Sequence, residues 1–336
     1  MNTLYHYKRS FELESGIIIP ELVISYSTYG RYISGKSKVI WVCHALTANS
    51  EVFNWWPGLF GDQELFNPQD YFIICANIIG SCYGTTGPLS HLDTFPEFSF
   101  HRFPEITIRD MVKAHILLAD HLSIRKIDFL IGGSLGGQQA LEWAIIEPER
   151  IRKLGLIATN ARFSPWGIAF NESQRMAIRS DQTWIESTPN AGLEGLKTAR
   201  SIALLTYRNY RTYQDKQLEE DYSITSDFKA ATYQRYQGLK LALRFNAFSY
   251  SVLSKAMDSH NIARGRLSLE KTLSGVTAAT LVIGLSSDIL FPVSEQEFLA
   301  NHIFGASLAI LDSLYGHDGF LIETPTLTTI IREHLK

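Results

Sequence analysis

The sequence predicts an α/β protein, with a mostly parallel central sheet, helices on both faces and a helical insertion over one end. Three observations carry this. Short apolar runs recur with helical patterns between them. That rhythm stops between about Asn160 and Leu273, where helical patterns alone remain, and returns at Ala278. A glycine-rich turn, Gly132-Gly133-Ser134-Leu135-Gly136, leads from an apolar run straight into a helical pattern.

The N-terminal stretch, with Gly16-Ile17-Ile18-Ile19-Pro20 and Leu22-Val23-Ile24-Ser25-Tyr26, reads as an antiparallel hairpin leading into the sheet. Residues 39–43, 71–76, 127–131, 154–158, 281–284 and 308–311 read as strands buried on both faces, because parallel strands covered by helices are apolar throughout rather than alternating. Thr107-Ile108-Arg109-Asp110 matches a capping box and opens an amphipathic helix to about Leu122. Within the insertion, 193–205 and 239–257 carry helical periodicity. The expected division is a core of 1–159 and 274–336 with a cap of 160–273. The cap would lie over the carboxyl ends of the strands, where ligands bind in open α/β sheets.

Composition narrows the function. A chain of 336 residues with 45% hydrophobic content builds one large core or a core with an insertion. A net charge of -3 gives no reason to expect nucleic acid or an anionic membrane as partner. No apolar run nears the ~20 residues that span a bilayer, and the first ten residues lack the apolar centre of a secretion signal. Cys43, Cys75 and Cys82 are odd in number and lack metal-ligand spacing. Cys43 and Cys75 sit in apolar runs and are expected as buried thiols, which points to a reducing cytoplasm. No metal and no tightly bound cofactor are expected.

Gly132 and Gly136 flank Ser134 as G-x-S-x-G between strand and helix, the nucleophile elbow of the α/β-hydrolase fold. Such a serine needs a base, and the base an orienting group, in the chain order Ser, acid, His. Asp288 follows the run 281–284 and His317 follows 308–311, so both fall at carboxyl ends of strands. Ser134, Asp288 and His317 are therefore the expected triad. The expected oxyanion donors are the N–H groups of Leu135, at the helix start, and Leu46, in the loop after 39–43. His44 is expected to shape that loop rather than act as a base.

Longer segments are more specific than the pentapeptide. They are Cys43-His44-Ala45-Leu46-Thr47, the run 77–88 from Asn77 to Pro88, the run 103–112, and 132–143 around the elbow. Leu205-Thr206-Tyr207-Arg208, Arg235-Tyr236-Gln237-Gly238, Ser287-Asp288-Ile289-Leu290-Phe291-Pro292 and Gly316-His317-Asp318-Gly319-Phe320 complete the set. Together they resemble the homoserine O-acyltransferase family over nearly the whole chain. The resemblance implies the same triad, with Arg208 binding the substrate carboxylate and Asp318 its amino group. It implies acetyl-CoA or succinyl-CoA as acyl donor, homoserine or serine as acceptor, a place in methionine biosynthesis, and a homodimer joined through the helical insertion. The chain departs from the family pattern at Ser81, Leu135 and Asn209, none of which supplies a side chain to the triad. An esterase or thioesterase with water as acceptor, and a non-catalytic scaffold, are the competing readings. The former has no need of Arg208 and Asp318, and the latter no need of an intact triad.

Overall fold

The structure, a computed structural model, describes every residue except Met1 and His91. In chain order its strands are β1 (Thr3–Tyr7), β2 (Phe11–Glu12), β3 (Ile18–Ile19), β4 (Leu22–Tyr29), β5 (Lys38–Cys43), β6 (Tyr71–Ala76), β7 (Phe129–Gly133), β8 (Lys153–Ile157), β9 (Ala279–Leu285) and β10 (Ser307–Leu311). The main sheet runs β1-β4-β6-β5-β7-β8-β9-β10. β4 pairs antiparallel with β1 and β6, and the other pairings are parallel. The chain moves from β5 to β6 on one side and then to β7 on the other. That reversal opens a crevice at the carboxyl ends of β5 and β7, the usual ligand position in such sheets. Cys43 pairs with Gly132 there, so the loops after the two strands start side by side.

Helices cover both faces. They are α1 (Val52–Trp55), α2 (Ile108–His121), α3 (Leu135–Ile146), α4 (Pro165–Arg179), α5 (Leu193–Tyr207), α6 (Tyr210–Gln217), α7 (Lys229–Ala242), α8 (Ala247–Asp258), α9 (Leu269–Leu273), α10 (Val293–His302), α11 (Gly319–Ile322) and α12 (Thr324–Leu335). On one face Met111, Leu118 and Leu141 pack with Trp41 and Trp143, whose rings meet edge-on at 4.9 Å. On the other, Val52, Trp56, Leu327 and Ile331 close over Ile40, Val42 and Ile131. The helices α4 to α9 are inserted between β8 and β9.

The expected capping box is present. The Thr107 hydroxyl accepts from Asp110 N–H at 3.3 Å, and the Asp110 carboxylate accepts from Thr107 N–H at 2.9 Å. Three expectations change. The N-terminal segments do not pair with each other. β4 pairs with β1, and β3 pairs with β2 in a separate ribbon, because Gly16, at φ 82, makes the turn between β2 and β3 instead of belonging to a strand. The helical run 239–257 is two helices, broken where Asn246 accepts from Ser249 N–H at 2.7 Å and caps α8. Finally, β10 is an edge strand rather than a doubly buried one, and Leu308 and Ile310 are 40% and 44% exposed.

Candidate active site

Ser134 sits between β7 and α3 at φ 57, ψ -126, a conformation that L residues adopt only under constraint. The constraint is visible. Ser134 N–H donates to Ile157 O, and Thr159 Oγ1 donates to Ser134 O, both at 2.9 Å. A side chain at Gly132 would put its Cβ 2.2 Å from Gly136 O, and one at Gly136 would stand 2.1 Å from Cys43 O. The two glycines let the helix start press against the strands on either side.

Asp288 lies in the loop after β9, and His317 in the turn before α11. His317 Nδ1 donates to Asp288 Oδ2 at 2.6 Å. The other Asp288 oxygen accepts from Leu290 N–H at 2.8 Å and Phe291 N–H at 2.9 Å, so the carboxylate is held on both sides. Ser287 Oγ laces the two loops together, donating to Ser313 O and accepting from Gly316 N–H. Phe291 stacks on the His317 ring with centroids 5.1 Å apart, and Phe320 meets it edge-on at 5.6 Å. Burial disfavours the charged imidazole, but the Asp288 carboxylate and its hydrogen bond outweigh burial. Asp318 adds to them, and the net pKa of His317 is raised.

Ser134, His317, Leu46 and Asp318 line one cavity of about 470 Å³, together with Trp55, Arg200, Tyr207, Lys240, Arg244 and Phe320. The N–H groups of Leu46 and Leu135 have no backbone carbonyl partner among the described residues, as expected of a loop turn and a helix start. The Leu46 loop is pinned from beneath. His44 Nδ1 donates to Ala45 O at 2.8 Å, and its Nε2 accepts from Ile78 N–H at 3.1 Å. Gln139 Nε2 donates to both His44 O and Leu135 O at 3.1 Å, tying the two candidate donors to one side chain. Burial lowers the His44 pKa to about 4, so the ring stays neutral in its loop-shaping place.

Arg208 and Asp318 are brought together, with Arg208 Nη2 3.2 Å from Asp318 Oδ2. Asp318 faces the Ser134 cavity, whereas Arg208 lines an adjoining hollow with Thr212, Tyr213, Tyr233 and Tyr315. Arg208 Nε is buried without a partner. Sequence reasoning missed Arg200, Lys240 and Arg244 of the inserted segment between β8 and β9. In the sequence they are ordinary solvated cations, and only the packing of the inserted helices brings them to the cavity. Among the described residues no group of three or more His, Cys, Asp or Glu side chains could hold a metal ion.

The comparisons bear on the fold and the family. A family model described as the alpha/beta hydrolase fold matches residues 38–324. A homoserine O-acetyltransferase of Cyclobacterium marinum is 46% identical over 98% of this chain and 93% of its own length. The chain belongs to the homoserine O-acetyltransferase family. A crystal structure from Staphylococcus aureus, also a homoserine O-acetyltransferase, superposes with a TM-score of 0.83 at 29% identity, covering 98% of this chain and 95% of that one. Esterase E22 superposes at 0.89 with 20% identity, covering the whole of both chains. The family shares its fold with esterases, so the fold does not separate the two chemistries.

Proposed function

We propose that the protein is an acyl-CoA-dependent O-acyltransferase that makes O-acetyl-L-homoserine from acetyl-CoA and L-homoserine, in methionine biosynthesis. Ser134 Oγ attacks the thioester carbonyl while His317 takes its proton. The oxyanion rests on the N–H groups of Leu46 and Leu135, each such donor contributing about 3 kcal/mol to the barrier. CoA leaves as the thiol, taking the proton from His317. The homoserine hydroxyl then gives its proton to His317 and attacks the acyl-enzyme, and His317 returns that proton to Ser134 Oγ as the Ser134 ester bond breaks and O-acetylhomoserine departs. Asp288 holds the tautomer and stabilises the imidazolium.

The observation that carries an amino-acid acceptor, rather than water, is the Arg208–Asp318 pair beside His317. A zwitterion inserted there offers an ammonium to Asp318 and a carboxylate to the guanidinium, whose buried Nε lacks a partner. An esterase has no use for such a pair. We take 160–273 as the cap that narrows access to water, with 1–159 and 274–336 as the core. We expect a cytoplasmic enzyme, since Cys43 and Cys75 are free buried thiols, and a homodimer through the cap, which exposes Leu205, Tyr210, Leu218 and Tyr222.

Purified protein mixed with acetyl-CoA is expected to release thiol at a rate set by added homoserine, and Ser134→Ala to abolish it. Thiol release indifferent to any amino acid would make the protein a thioesterase. Arg208→Ala should raise the homoserine KM while acyl-enzyme formation persists. Equal loss in both half-reactions would remove Arg208 from the acceptor site. Serine and succinyl-CoA in parallel set acceptor and donor choice.

A further inference from the structure

The catalytic cavity has cationic walls that the triad does not use. Arg200, Lys240 and Arg244 line it from the cap, and Asp318, paired with Arg208, is its one acidic side chain among the described residues. The positive lining stands out in a chain of net charge -3. Arg200 is half-buried and lies 5.3 Å from the Tyr207 ring centroid. Lys240 and Arg244 are exposed at the rim. Neither has a carboxylate partner among the described residues, whereas Arg235, on α7 with Lys240, pairs with Asp227 at 3.6 Å.

Arg244 is also mechanically connected. Its Nη1 donates to Thr47 O and to the Tyr83 hydroxyl, both at 2.5 Å. Thr47 follows Leu46, so the turn between α7 and α8 grips the oxyanion loop from above as His44 and Gln139 hold it from below. The remaining guanidinium donors are uncommitted among the described residues. A cavity of about 470 Å³ takes an acyl group and a slender arm, not a nucleotide as well. The phosphate-bearing part of an acyl-CoA therefore stays at the mouth, where the exposed cations are.

We propose that Lys240 and Arg244 form the subsite for the phosphate groups of the acyl donor, and that filling it fixes the oxyanion loop through Arg244 and Thr47. The proposal rests on the acyl-CoA reading above. The test compares acetyl-CoA with S-acetylpantetheine, which lacks the phosphates, as donors for the full chain. The wild type should prefer acetyl-CoA in kcat/KM, and that preference should shrink as salt rises. The double variant K240A/R244A should lose about tenfold of it. Both side chains are exposed, so a wild-type melting curve should accompany that loss. Adenosine 3′,5′-bisphosphate should compete with acetyl-CoA and bind the double variant more weakly. For the coupling, R244A should lower kcat for acetyl-CoA further than K240A does, while both raise KM.

An unchanged donor preference in the double variant, or no competition by the bisphosphate, overturns the subsite. Equal kcat in R244A and K240A overturns the coupling. A wild-type preference for succinyl-CoA that the double variant loses would assign the cations to an acyl carboxylate and also overturn it. Absence of homoserine-dependent thiol release from either donor by the wild type would instead overturn the transferase reading.

Discussion

At the scale of single residues, the His317 environment sets a pH signature. Its pKa is raised, with Asp288 outweighing burial. The imidazole must be neutral to take the Ser134 proton, so kcat/KM should rise with pH through a midpoint above the ordinary histidine value of about 6.5. Stability runs the other way. A raised folded-state pKa contributes stability that is full below the unfolded value and lost as pH rises through the folded one. In Asp288→Asn the main raising partner is gone while burial remains and only Asp318 still raises the pKa, so the limb should move to lower pH and kcat fall by about 10⁴-fold. A limb that stays in place would show that another group titrates. A second residue-scale prediction concerns Gly136. With Cys43 O 2.1 Å from any Cβ there, Gly136→Ala must push α3 away from β5, and should abolish acylation of Ser134 and lower the melting temperature. Active-site titration with a chromogenic acetyl ester reads the first, and a wild-type burst would show that the contact is not limiting.

At the scale of elements, local signals were legible where the physics is local. The capping box of α2 involves neighbours in the chain, and both of its hydrogen bonds are present. Thr107→Ala should cost about 1 kcal/mol, seen as a lower urea midpoint, with kcat/KM changed by less than about twofold. A tenfold loss of activity would mean that α2 positions the site more directly. The buried strands β5, β6 and β7 were equally readable, since helices on both faces demand apolar residues throughout. Pairing was not readable. β1 rather than the segment at Gly16 pairs with β4, because strand partners are chosen by tertiary packing. The edge position of β10 likewise has no mark in an apolar run.

At the scale of the whole molecule, the inserted helices α4 to α9 and the turns between them supply Arg200, Tyr207, Lys240 and Arg244 to the cavity wall. Their exposed Leu205, Tyr210, Leu218 and Tyr222, the last 98% exposed, are expected to be covered by a second copy. Sedimentation should find a dimer, and Leu218→Asp with Tyr222→Asp should release monomers. A monomeric wild type at micromolar concentration would leave those side chains for another role.

The sequence by itself determined the glycine-flanked turn at Ser134, the chain order of Ser134, Asp288 and His317, and the α/β alternation. Each is written in glycines, turns or periodicity over a few neighbouring residues. Tertiary structure alone decided that Arg208 pairs with Asp318 beside His317, that Gln139 joins the loops of Leu46 and Leu135, and that Lys240 and Arg244 face the catalytic cavity. Those contacts join residues far apart in the chain, and no local preference encodes them. They exist because the strand reversal at β5 and β7 brings the loops together and the inserted helices between β8 and β9 add their side chains to the same cavity.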